Sequence, residues 1–145
     1  MPSIIHIKIR GYHIDAFGHV NHARYIQFME EARWDYFDKH RDIADMVTEQ
    51  GIAHATVHIS TNYHNLSVMG DVIRIETGIC KKSQRSITFG QKIFIGDSDR
   101  LVADAEVVNV FFNKKGGDIV ETESEIFSAW EDLSNALAEE NNKPR

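Results

Sequence analysis

RGYHIDAFGHVNHARYIQFMEEARW, residues 10–34, is the stretch from which the fold follows. A lone carboxylate, Asp15, falls on a turn that contains Gly18, a capping asparagine follows at Asn21, and the chain runs straight into an apolar helix. That helix is expected from about Asn21 to Asp38, with Tyr25, Phe28, Met29, Ala32, Tyr36 and Phe37 on one face and Ile26 and Trp34 widening it. So broad an apolar face predicts a largely buried helix. The start of a helix leaves backbone N–H groups without partners and carries the positive end of the helix dipole, so negative charge is stabilised beside it. A carboxylate at that place can attack a carbonyl, or activate water to do so, while the developing oxyanion rests on the N–H groups.

Outward from this stretch the pattern changes twice. Upstream, Ile5, Ile7 and Ile9 alternate with His6, Lys8 and Arg10, the period-two signature of a half-buried strand leading into the turn. Downstream, Asp42 to Gln50 reads as a second short helix closed by Gly51. From Ile52 the period becomes strand-like. Ala53, Ala55, Val57 and Ile59 alternate with His54, Thr56, His58 and Ser60, while Val72–Cys80, Ser86–Ile95 and Leu101–Phe112 are rich in β-branched and aromatic residues. Turn residues at 69–71, 81–85, 96–99 and 115–118 separate them, which predicts long antiparallel strands in a meander. Glu123 to about Leu137 has the pattern of a terminal helix. The expectation is one domain over residues 1–138 with a flexible tail at 139–145. Its class is α+β: a long central helix wrapped by a curved antiparallel sheet of about five strands, the architecture called the hotdog fold.

Composition narrows the function. A chain of 145 residues with 42% hydrophobic content builds a real core but is small for an enzyme that must enclose a substrate, so a second subunit is expected to complete the site. A formal net charge of -6 argues against a general nucleic-acid binder, which needs an excess of Lys and Arg. Cys80 is the single cysteine, which leaves no disulfide framework and fits a reducing cytoplasm. No stretch approaches the roughly 20 apolar residues of a membrane helix, so a protein without a membrane anchor is expected. Eight histidines raise the question of a metal. No H-E-x-x-H pair occurs, and His54 and His58 would stand about 13 Å apart along a strand, so no metal site is expected.

The segment IKIRGYHIDAFGHVNHARYIQFMEEARWDYF closely resembles the N-terminal signature of the hotdog thioesterases of the 4-hydroxybenzoyl-CoA thioesterase superfamily, most closely its bacterial long-chain acyl-CoA type. NYHNLSVMGDVIRIET and SITFGQKIF look like later strands of that family, so the resemblance covers about residues 4–113. It implies hydrolysis of a medium- to long-chain fatty acyl-CoA to free acid and coenzyme A, without cofactor, by a homodimer that often pairs into a homotetramer. On this resemblance the catalytic carboxylate falls on Asp15, as general base or nucleophile. The turn and helix start that polarise the thioester carbonyl fall on Gly18, His19, Val20, Asn21 and His22. Tyr25 and Met29 suit either a core or the wall of an acyl pocket, and Lys81, Lys82 and Arg85 could meet the phosphates of coenzyme A.

Two positions depart from related patterns. Plant acyl-carrier-protein thioesterases of similar fold carry an asparagine two residues after the aspartate, where this chain has Phe17. The long-chain type follows its Val-Asn with another asparagine, where this chain has His22. Asp15 alone would read as a turn or capping aspartate, and Glu30 as the partner of Arg33 in an ion pair one turn apart. Three alternatives stay open at this point: an aromatic acyl-CoA substrate, an acyl-carrier-protein substrate, and an acyl-binding hotdog protein without turnover.

Overall fold

The computed structural model describes residues 3–40, 45 and 48–121. Strand β1 (Ser3–Lys8) leads through a single 3-10 turn at Gly11–His13 and the Asp15 turn into helix α1 (His22–Lys39). Four strands follow: β2 (Ile52–Tyr63), β3 (Val72–Lys82), β4 (Ile87–Ile95) and β5 (Leu101–Asn113). All pairings are antiparallel, in the order β1-β3-β4-β5-β2. This is the hotdog fold, five strands curved around one long helix. Of the expected second helix only residues 45 and 48–50 are described, the first three of them helical and Gln50 already in the turn; Gly51 closes it at φ 71° with its N–H on the carbonyl of Thr48, 2.9 Å. The expected terminal helix and tail lie outside the described residues.

The meander is shorter than expected. Strands β3, β4 and β5 follow one another as neighbours, but β2 lies beyond β5 at the far edge. Helix α1 runs lengthwise inside the curved sheet, its start against Tyr63 and its later turns against His54, both of β2, so the chain that leaves it enters the sheet at the β2 edge. The return from β2 to β3 then crosses one end of the sheet over residues 64–71. That crossing segment becomes the support of the Asp15 turn.

Core residues follow the period of two. Ile73 and Ile75 of β3, Phe89 and Ile93 of β4, and Ala103, Val107 and Phe111 of β5 are buried against α1. Arg74, Glu76, Lys92, Asp104 and Glu106 alternate with them and face outward. From α1 the core receives Tyr25, Phe28, Met29, Ala32 and Tyr36. Two details differ from the expected pattern. Trp34 stands 54% exposed, and the inward position beside it is taken by Arg33. Strand β2 carries a bulge between Thr56 and His58, which shifts its phase by one residue. His54 and Thr56 therefore sit opposite the inward-facing Phe111 and Asn109, and Ile59 beyond the bulge sits opposite inward-facing Val107. A strand of unbroken alternation would have put Ala53, Ala55 and Ile59 on one face.

Candidate active site

The Asp15 turn is a small hydrogen-bonded hairpin. Ile14 and Val20 form an isolated bridge, the N–H of Asp15 donates to the carbonyl of His19 at 2.9 Å, and the N–H of Gly18 donates to the carbonyl of Asp15 at 3.1 Å. Gly18 has φ 82°, a conformation in which an L side chain is strained. A Cβ there would meet nothing within 4 Å, so the constraint is purely conformational. Gly18→Ala is therefore expected to cost about 1 kcal/mol, read as a melting temperature lowered by about 2–4 °C, and Gly18→Asn less.

Asp15 is half-buried, and its Oδ1 accepts the N–H of Phe17 at 2.9 Å. One carboxylate oxygen thus anchors the turn; the other has no partner among the described residues. The turn in turn is fastened below. The N–H of Val20 donates to the carbonyl of Ser67 at 3.0 Å, and Ile9 and Gly70 are tied at 2.9 Å on the crossing segment. His13 is buried on Phe28, ring centroids 4.9 Å apart, and its Nδ1 accepts the N–H of Arg10 at 2.9 Å. Burial first, then the charges of Arg24 and Arg10, lower its pKa, so the ring is neutral with its proton on Nε2. The carbonyl of His13 accepts the N–H of Asn21 at 3.0 Å.

Asn21 caps α1 as the sequence predicts, its Oδ1 accepting the N–H of Ala23 at 2.9 Å. The N–H of Arg24 already donates to the carbonyl of Asn21. The N–H of His22 meets no acceptor among the described residues, so it is the open donor of the first turn. The carbonyl of His22 accepts the hydroxyl of Tyr63 at 3.0 Å, which ties the first turn of α1 to the end of β2. Tyr25 donates its hydroxyl to Ser67 Oγ at 3.0 Å, and burial, more than any neighbour, raises its pKa. Tyr63 and Ser67 carry no local sequence signal; they reach the site from 41 or 42 residues away, Tyr63 at the end of β2 and Ser67 on the crossing segment.

Gly18, His19, Val20, Asn21 and His22 thus gather with Asp15 in one place. Tyr25 and Met29 are buried beneath, 3% and 1% exposed, in the core of the single chain. Around the turn Tyr12, Phe17, Leu66, Val68 and Met69 form an exposed apolar rim, with Phe17 86% exposed. Lys81, Lys82 and Arg85 do not join this group within one protomer. Strand β3 begins beside the turn, where Val72 pairs with Lys8, and ends at Lys82, about 33 Å farther along. Lys81 meets Glu106 at 3.3 Å in an exposed pair that contributes little. A larger hollow of about 560 Å³ lies on the outer face, away from the turn, walled by Glu76, Asp104 and Glu106 with Lys92. Glu30 and Arg33 form no ion pair; Arg33 turns inward to Gln91 instead, for the buried amide offers a hydrogen bond there. Among the described residues no three His, Cys, Asp or Glu side chains are arranged to hold a metal ion, and no helix is long and apolar enough to cross a membrane.

A fold of one helix in a five-stranded sheet, with a carboxylate and an open N–H at the helix start, defines a class that comparison with known proteins makes specific. The model of the thioesterase-like superfamily matches residues 9–134, and the chain belongs to that family of thioester-hydrolysing enzymes. It is 35% identical over 120 residues to the long-chain acyl-CoA thioesterase FadM of Escherichia coli, covering 83% of this chain and 90% of that protein. The crystal structure of YbaW, a probable thioesterase from Escherichia coli, superposes with a TM-score of 0.81 at 31% identity, covering 90% and 98% of the two chains. Slr0204, a 1,4-dihydroxy-2-naphthoyl-CoA thioesterase from Synechocystis, shares the fold with a TM-score of 0.75 at 16% identity, over 88% and 93%.

Proposed function

We propose that the protein hydrolyses medium- to long-chain fatty acyl-CoA to free fatty acid and coenzyme A, with Asp15 as the reacting carboxylate. The observation that carries this is the pairing of an anchored carboxylate with the open N–H of His22 at one helix start. A thioester suits such sparse equipment, because its carbonyl is electrophilic and its thiolate leaves readily. Asp15 either takes a proton from water as the water adds to the carbonyl, or adds itself to give an acyl anhydride that water then cleaves. In both routes the carbonyl oxygen becomes an anion, and the N–H of His22 with the helix dipole stabilises it. The apolar rim of Tyr12, Phe17, Leu66, Val68 and Met69 supplies surface for an aliphatic chain, with Tyr25 and Met29 beneath it.

The site is completed, on this reading, by a second copy. Strand β2 is a 12-residue sheet edge, and Val57 and Ile59 of β2 and Trp34 of α1 are exposed beside it; so long an apolar edge stays soluble when it is covered. Two β2 edges meeting antiparallel about a twofold axis bring the Tyr63 end of one copy to the Ile52 end of the other. The hairpin of Lys81, Lys82 and Arg85 lies at that Ile52 end, because Ile52 pairs with Asn113, Asn109 with Ile87, and Ile87 with Lys82. Each Asp15 turn then faces its partner's basic hairpin, where the phosphates of coenzyme A need cations. Dimers of this kind can pair further into a tetramer.

The experiment is release of free thiol from a panel running from acetyl-CoA to palmitoyl-CoA, with benzoyl-CoA included. Turnover is expected to rise with chain length, from a species sedimenting at a multiple of the 16.6 kDa chain. Fastest hydrolysis of benzoyl-CoA would replace the aliphatic reading, and binding without thiol release would replace the enzymatic one.

A further inference from the structure

The loop that carries Asp15 is closed at both ends by one residue, His13. Toward β1, its Nδ1 accepts the N–H of Arg10 at 2.9 Å, and its own N–H donates to the carbonyl of Arg10 at 3.1 Å. Toward α1, its carbonyl accepts the N–H of Asn21, the residue that caps the helix. The Asp15 hairpin lies between these bonds. The bond to Nδ1 differs from the others in kind, because an imidazole nitrogen accepts only while it carries no proton. A second proton on the ring falls on Nδ1, faces the N–H of Arg10 and turns an attraction into a repulsion.

The surroundings give the resulting charge no relief. The ring is 5% exposed, with the ring of Tyr12 at 4.1 Å and the edge of Phe28 of α1 at 4.9 Å. The charges that bear on it are both cations, Arg24 of α1 and Arg10 of its own loop. Arg24 is held in place, donating to the carbonyl of Tyr12 at 3.1 Å with its guanidinium 5.6 Å from the centre of the Tyr12 ring. The acids of the neighbouring segments serve N–H groups of their own turns: Asp15 accepts from Phe17 at 2.9 Å, and Asp71 of the crossing segment accepts from Val68 at 3.0 Å. His22 faces Tyr63, ring centroids 6.4 Å apart.

We propose that His13 is a positioning residue of the Asp15 turn that holds only as the neutral ring: on taking a proton it releases Arg10, and the loop closed between Arg10 and Asn21 opens. The sign follows from linkage. In the open loop the ring titrates near the ordinary histidine value of about 6.5, and in the closed loop below it, so the open form binds more protons. Closure is therefore complete above about pH 6.5 and weakens as pH falls below it, by at most about tenfold per pH unit for one proton.

The test is residue-resolved amide exchange from about pH 7 to pH 5, expressed as protection factors. In the parent, protection of Arg10 and Asn21 is expected to fall below about pH 6.5 while amides of β4 and β5 keep theirs. Asparagine offers Oδ1 in place of Nδ1 and does not titrate, so His13→Asn is expected to remove that fall. Arg24→Gln takes away a cation that bears on the closed ring, which narrows the gap between the two forms; the fall is expected to shrink. Protection independent of pH in the parent, a fall equal in all three proteins, or a loss shared by β4 and β5 would overturn the proposal. None of these readings needs a substrate. If Asp15 hydrolyses a thioester, as proposed above, the acid limb of kcat is expected to move to lower pH in His13→Asn; absence of turnover would remove that reading and leave the amide result decisive for His13.

Discussion

Asp15→Asn is expected to lower kcat for a long-chain acyl-CoA by about a thousandfold while leaving the fold intact. Asparagine keeps an oxygen where Asp15 Oδ1 accepts the N–H of Phe17, so the turn keeps its hydrogen bond. What is lost is the negative charge and the lone pairs that can take a proton or attack carbon. The substitution therefore separates two roles that a truncation to alanine would mix, since an aspartate that only shapes the turn would be replaced by asparagine almost without effect. The measurement is steady-state thiol release together with a thermal melt of each protein. A thousandfold loss at an unchanged melting temperature assigns the chemistry to the carboxylate; full activity would mean that the reacting group lies elsewhere in the cleft.

The second large effect is on stability. Gln91→Leu is expected to destabilise the protein by about 3–5 kcal/mol, a drop of about 10 °C in melting temperature. Gln91 is 1% exposed and joins three elements: its Nε2 donates to the carbonyl of Met29 on α1 and to Thr77 Oγ1 on β3, each at 2.9 Å, and its Oε1 accepts from Arg33. Leucine nearly matches its volume, so packing is little changed and the loss measures the polar network. A buried guanidinium left without its acceptor is the dominant part. Adding Arg33→Met removes that orphaned charge, so the double variant is expected to recover much of the loss. A Gln91→Leu protein that melts like the parent would show the network to be energetically neutral.

Much of this molecule is legible in its sequence, and the limit is physical. The β1 strand, the Asn21 cap, helix α1 and the four later strands follow from local periodicity and turn chemistry, because those signals act within a few residues. The Asp15 turn is legible for the same reason: Asp15, Gly18 and Asn21 all lie within one short stretch. The place of β2 beyond β5 is not, since it depends on where an 18-residue helix delivers the chain. Nor is the inward turn of Arg33. A charged residue on a helix is by default solvated, and what draws this one in is Gln91, 58 positions away. The bulge beside Val57 is equally silent in the sequence, where Ala53 to Ser60 reads as unbroken alternation.

The crossing segment that holds the Asp15 turn has a consequence for motion. Val20 hangs on Ser67, and Ile9 exchanges hydrogen bonds with Gly70 and Asp71, at 2.8 to 3.0 Å. A turn fastened only to its own helix could fray by itself, opening and closing on its own timescale. Here the turn and the segment are rungs of one ladder, so neither opens without the other. Loss of the Asp15 turn's geometry should then coincide with opening of the β2–β3 connection, as a single cooperative unit whose amides exchange with solvent together.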